Sequence, residues 1–71
     1  MVDERAHLAQ VDRHIAGAKQ NIRKQERLID RLGARGYDLA EAQNFLSVLM
    51  ATLKRFEQHR LLILGRLQAE R

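Results

Sequence analysis

His7, His14 and His59 are the side chains with ligand chemistry beyond ordinary charge, since the chain contains no cysteine. His7 and His14 lie two helical turns apart, about 10 Å along an axis, too far to hold one ion between them. The pair with metal-binding interest is His14 with His59. If they share a groove, two copies in a symmetric dimer would supply four imidazoles, enough for tetrahedral zinc. The plainer reading makes them polar interface residues, hydrogen-bonded to carboxylates or water, with no metal or other cofactor required. A pH-sensitive interface is a third reading of the same pair.

A second kind of chemistry comes from charge. Net charge is +4 and the sequence pI is about 10.4. Lys24, Arg27, Arg31 and Arg35 follow a helical stripe flanked by Lys19 and Arg23, which could track nucleic-acid phosphates. Glu26 and Asp30 interrupt that stretch, and Tyr37 is the one aromatic near it that could stack on a base. An ordinary solvated helix face is the better explanation of the stripe.

Catalysis finds little to work with. The chain has no Gly-rich phosphate loop and no nucleophile elbow, and its single serine, Ser47, sits among apolar residues with no histidine at helical hydrogen-bonding separation. Asp12 and Glu57 would fall on an open edge, poorly placed for acid–base work. A two-layer hairpin also lacks an enzyme-sized cavity, so neither an enzyme nor a small-molecule site is expected.

The elements that must carry these residues are legible from one pattern. Leu8 pairs with Ile63, Val11 with Arg60, Ile15 with Phe56, Ala18 with Leu53, Ile22 with Leu49, Gln25 with Leu46, Ile29 with Ala42, and Leu32 with Leu39. In every pair the residue numbers add to 71. Both sets step by three and four residues, the seam of a helix, and the constant sum runs the second helix back along the first. The fold class is therefore all-α, an antiparallel two-helix hairpin expected to dimerise into a four-helix bundle. Residues 1–71 form a single domain, with a helix over about 3–32, a turn at 33–38 and a helix over about 39–69.

Cap chemistry marks the boundaries. Asp3 can cap the first helix, and Gly33 is expected to supply the left-handed residue that ends it, with Gly36 giving the loop a second unrestricted φ. Asp38 and Glu41 have capping-box spacing, the Asp38 carboxylate accepting from the Glu41 N–H while the Glu41 side chain reaches back. Gly65 weakens the last turns of the second helix by about 1 kcal/mol relative to alanine.

Taking Leu8 and Leu39 as a positions, the two g edges meet. That sets Leu28 opposite Phe45, Asn21 opposite Thr52, His14 opposite His59 and His7 opposite Arg66. The other edge pairs Glu26 with Gln43, Lys19 with Met50, Asp12 with Glu57 and Arg5 with Leu64. It is the more charged of the two.

Apolar residues beyond the seam mark where a partner would sit: Phe45 on the g edge, and Val48, Met50, Leu61, Leu62 and Leu64 elsewhere on the second helix. A homo-oligomer is the expected occupant, with a heterologous helical protein as the alternative. Gln25 at a d position would penalise wrong registers if buried, or simply reach the surface from the helix edge. At 71 residues a two-helix hairpin buries only one stripe of each helix, which makes a partner surface physically useful. The longest wholly apolar run is Leu61 to Leu64, far short of a membrane span. The start of the chain carries no apolar leader core, and with no cysteine a reducing cytoplasm is the expected location.

The run Leu8-Ala9-Gln10-Val11-Asp12-Arg13-His14-Ile15-Ala16, then Gln25-Glu26-Arg27-Leu28-Ile29, Gly36-Tyr37-Asp38 and Glu57-Gln58-His59-Arg60, resembles a group of small uncharacterised helical proteins of alphaproteobacteria. The resemblance spans most of the chain and implies a small intracellular bacterial protein, with no activity attached. The architecture is also similar to the Rop plasmid-copy-control proteins, helical hairpins that dimerise into four-helix bundles and bind RNA. That likeness is of shape and length, without a shared RNA-contacting motif.

Overall fold

The structure, a computed structural model, describes residues 3–70. Two helices account for almost all of them: α1, Glu4–Ala34, and α2, Ala40–Ala69. They fold back on each other into a rod of 56 × 16 × 14 Å with a radius of gyration of 16.5 Å. A globular chain of this length would have a radius near 11 Å. The elongation follows from a topology in which each helix has one neighbour along its whole length.

The heptad seam explains why the helices pair. All sixteen residues of the eight sequence-matched layers are withdrawn from full exposure, from Leu8 and Ile63 at the open end to Leu32 and Leu39 at the turn. Of these, only Val11, Ala18 and Ile63 are buried, and Ile63 alone has no exposed surface. The rest are half-buried, because a side chain in a two-helix seam is roofed by one partner helix and open to either side. Polar contacts fix the antiparallel direction. Near the turn, the Gln25 side-chain amide donates to the Ala42 carbonyl at 2.9 Å, and toward the open end Arg60 Nε donates to Asp12 Oδ1 at 2.6 Å.

At its start α1 is capped as its sequence predicts. Asp3 lies in extended conformation and its Oδ1 accepts from the N–H groups of Arg5 and Ala6 at 3.0 and 3.4 Å. The other end departs from expectation. α1 runs through Gly33 to Ala34, and the left-handed residue is Gly36, with φ of 75°. The Tyr37 N–H donates to the Leu32 carbonyl at 3.0 Å and the Gly36 N–H to the Gly33 carbonyl at 3.1 Å. These are the two bonds of a Schellman cap with Gly36 at its C′ position, so one left-handed glycine reverses the chain and Gly33 stays helical.

The start of α2 is a second correction. Asp38 Oδ1 accepts from the Ala40 N–H at 2.9 Å, and Leu39, in helical dihedrals, stands at the N-cap with no side-chain bond. The expected reciprocal bonds with Glu41 are not made. Asp38 precedes the N-cap by one residue, so its carboxylate reaches the N–H two residues on. Glu41 still lies in the first turn, where a carboxylate complements the helix dipole.

The two glycines of the turn should therefore respond in opposite ways. A Cβ on Gly33 would meet Leu39 Cδ1 at 3.7 Å, an ordinary contact. Gly33→Ala is expected to be tolerated or to stabilise by up to about 1 kcal/mol through helix propensity. Gly36→Ala forces a Cβ into the left-handed region and should cost about 1–2 kcal/mol. Urea unfolding of the two variants reads the difference, and equal effects would place the reversal elsewhere.

Candidate functional site

The candidate residues fall on three parts of the rod. The first is the apolar surplus of α2. Phe45 is 53% exposed, Val48 58%, Met50 55%, Leu61 68% and Leu62 62%, while Leu64 is half-buried. These six do not make one patch. At about 100° per residue, Phe45, Val48 and Leu62 project to the g side of the seam, and Met50, Leu61 and Leu64 to the e side. The edge pairing read from sequence already separates Phe45 from Met50 and Leu64 but leaves Val48, Leu61 and Leu62 unassigned.

The two flanks also differ in charge. On the g side an open groove of about 340 Å³ is lined by Arg13, His14, Gly17, Ala18, Asn21, Leu49, Thr52 and Phe56, without a carboxylate. Nothing stands within 4 Å of where a Cβ would lie on Gly17, so the glycine leaves the groove unfilled. Leu28 and Phe45 line a second groove nearer the turn, in keeping with their expected juxtaposition. On the e side the comparable groove is edged by Asp12, Lys19, Glu57 and Arg60. Arg60 occupies a seam position, but its guanidinium turns outward to Asp12 and leaves its alkyl stem over the core.

The second part is the basic stripe. Lys24, Arg27 and Arg31 lie exposed on α1 and Arg35 is the exposed residue that closes it, with Tyr37 beside it 58% exposed. None of the four cations is in an ion pair among the described residues. Among the described residues Arg5, Arg13, Lys19, Arg23, Lys54 and Arg55 are likewise in no ion pair.

The histidines form the third, and here the expected pairing is not the one built. His59 meets His7, Nε2 to Nε2 at 3.1 Å, rather than His14. His14 is exposed and lies against the Phe56 ring, centres 5.4 Å apart. Arg66, expected opposite His7, reaches Glu4 Oε1 at 3.7 Å. The cause is side-chain reach: Glu4, one turn before His7, attracts the arginine and frees the His7 ring to turn toward His59. His7 Nδ1 faces Glu4 Oε2 at 3.6 Å, and both atoms are buried without a hydrogen-bond partner.

The hydroxyls are engaged locally. Ser47 Oγ donates to the Gln43 carbonyl at 3.2 Å and Thr52 Oγ1 to the Val48 carbonyl at 2.9 Å, each one turn back along α2. No helix among the described residues is long and apolar enough to cross a membrane. Comparison with family models, curated proteins and solved structures returns no match to this chain.

The Asp12–Arg60 pair has the best hydrogen-bond geometry of the cross-helix ion pairs, yet its side chains are 48% and 40% exposed. Solvent screening should hold its coupling to about 1 kcal/mol or less, falling further as salt rises. A double-mutant cycle with Asp12→Ala and Arg60→Ala measures it. A salt-insensitive coupling well above that range would mean the pair is buried in solution, as it would be if a second molecule covered the e flank.

Proposed function

We propose that this chain is a non-enzymatic helical binding module of the bacterial cytoplasm that acts through homo-oligomerisation and protein–protein contact, two hairpins closing into a four-helix bundle. The observation that carries this reading is the surface left open. The chain exposes 5777 Å². A compact monomer of 8.2 kDa would expose about 4,500 Å². The surplus of roughly 1,200 Å² exceeds the about 800 Å² that one partner contributes to a standard interface.

The g flank is the face proposed for the contact. It carries Phe45, Val48 and Leu62 and the groove at Gly17, and it brings no carboxylate to that groove. Two copies related by a twofold axis would roof the half-buried seam residues on that side, which a lone hairpin leaves open to water. Burying each of the three large side chains contributes about 1.5–3 kcal/mol. The e flank also exposes Met50 and Leu61, but its groove is edged by Asp12, Lys19 and Glu57, whose hydration would be lost on burial.

Val48→Gln combined with Leu62→Gln tests the proposal, because both side chains are exposed in the hairpin and neither supports its seam. Sedimentation velocity should show a dimer for the natural sequence and a helical monomer for the double variant. A well-folded monomer of the natural sequence at high micromolar concentration would refute self-association and leave a heterologous helix as the occupant.

A second reading, a Rop-like regulator that binds RNA or DNA, is favoured by the unpaired Lys24, Arg27, Arg31 and Arg35. Arg27 lies on the back of α1 and remains available in a dimer, while Lys24 and Arg31 lean toward the g side and would border its contact. Binding of structured RNA or duplex DNA should then weaken steeply with salt, and Arg27→Glu with Arg31→Glu should abolish it by removing counterion release. No binding at about 50 mM salt, where phosphate contacts are strongest, retires this reading.

A further inference from the structure

His7 and His59 both stand at g positions, so the open end of the flank proposed for the dimer contact holds a side-chain cluster that the eight seam layers do not use. His7 comes from the second turn of α1 and His59 from α2. Their Nε2 atoms stand 3.1 Å apart with ring centres at 4.9 Å and planes inclined by 64°. A straight N–H···N bond of that length would put the ring centres about 5.4 Å apart, so the two ring axes are not in line. Two nitrogens held by one tetrahedral ion at about 2.0–2.1 Å stand about 3.3 Å from each other. With both lone pairs aimed at a common point, a 3.1 Å separation corresponds to ring centres about 4.8 Å apart.

The far side of the His7 ring supplies an independent observation. His7 Nδ1 and Glu4 Oε2 are both buried, 3.6 Å apart, and neither has a hydrogen-bond partner. A small closure makes Nδ1–H the donor to the Glu4 carboxylate. That bond fixes the His7 tautomer with a bare Nε2 lone pair, as a carboxylate behind a metal-binding imidazole does. Arg66, 3.7 Å from the other Glu4 oxygen, balances the carboxylate charge without standing between the two rings.

We propose that His7 and His59 form a two-imidazole clasp for a divalent transition cation such as Zn²⁺, Ni²⁺ or Cu²⁺, with Glu4 orienting His7 from behind. No group of three or more His, Cys, Asp or Glu side chains has metal-binding spacing among the described residues, so water completes the coordination. The His7 side chain is 32% exposed, which gives solvent access to those positions. In the ion-free state one Nε2–H donates to the other ring's lone pair. With His7 fixed by Glu4 the donor is His59, and ion binding moves the His59 proton from Nε2 to Nδ1 with no net proton released. Imidazole donors suit these ions, whereas Mg²⁺ and Ca²⁺ prefer oxygen. The bound ion would cross-link residues 7 and 59 and hold the open end of the hairpin shut.

Calorimetric titration of the full chain with ZnCl₂, NiCl₂ and MgCl₂ tests the clasp, alongside thermal melts. Zn²⁺ and Ni²⁺ should each saturate near one ion per chain and raise the melting temperature, Zn²⁺ at a hundred times its Kd shifting the folding equilibrium about a hundredfold. MgCl₂ should do neither. His7→Gln and His59→Gln should each lose binding while retaining helicity, His14→Gln should bind as the natural sequence does, and Glu4→Gln should weaken binding about 10-fold or more. In the natural sequence Zn²⁺ should move the ring-proton resonances of His7 and His59 and leave those of His14, a readout that stands even if a variant fails to fold. Absence of zinc heat at neutral pH, unchanged binding in His7→Gln, or resonance shifts confined to His14 would overturn the proposal.

Discussion

Two helices in contact share one stripe of each surface, and that geometric limit governs the rest of this molecule. A seam with a single roof leaves thirteen of its sixteen residues half-buried, with only Val11, Ala18 and Ile63 buried. Apolar burial sets the stability of small domains, so a hairpin with three covered side chains has little to set against the entropy of ordering its chain. Its thinness also makes the flanks important. Every groove, exposed aliphatic side chain and cross-helix polar contact lies within one side chain's reach of the seam, and covering one flank adds burial along the length of the rod.

Register in such a seam cannot rest on apolar contacts alone, because leucine and isoleucine layers tolerate slippage by a heptad. Polar contacts between the helices and at the turn resist it. Gln25 donates to the Ala42 carbonyl, so its amide is satisfied within the hairpin and a slipped register would strand it. At the turn, the Schellman bonds from Gly36 and Tyr37 and the Asp38 contact with Ala40 fix how many residues lie between the helices. The loop length then sets the phase of α2 against α1. A charged pair such as Asp12 with Arg60 adds direction at lower energy, since water competes for both partners.

The fold was legible because helical periodicity is a long-range pattern averaged over many residues. Leu8 to Leu32 and Leu39 to Ile63 repeat often enough that no single residue decides the outcome. The turn was less legible, since Gly33 and Gly36 are equally able to adopt positive φ and only the hydrogen-bond count from Leu32 onward distinguishes them. The histidine pairing was misread for a related reason. Facing positions were assigned by layer, but Arg66 and Glu4 have reach enough to meet across the open end, and that meeting leaves His7 to His59. The signal was present in the sequence: Glu4 lies one turn before His7, and an arginine stands on the opposing edge to claim it. The apolar surplus of α2 was legible as composition, but its division between two flanks required the helical phase.

Charge constrains how such rods can meet. Each copy carries +4, so two copies brought together repel unless the contact face is nearly neutral. Arg27 lies on the back of α1, but Lys24 and Arg31 share the phase of Val48 and Leu62 and lean toward the g side, where their long stems must carry the charge away from a partner. The g-side groove still contains Arg13 at its edge, whose long stem can lie over apolar surface while its guanidinium stays in water. The e flank pairs Asp12 with Arg60 within the chain, so burying it would desolvate that ion pair. The asymmetry therefore follows from how the apolar side chains are arranged: the g flank, with Phe45, Val48 and Leu62 exposed around an unfilled groove, has more to gain by losing its water.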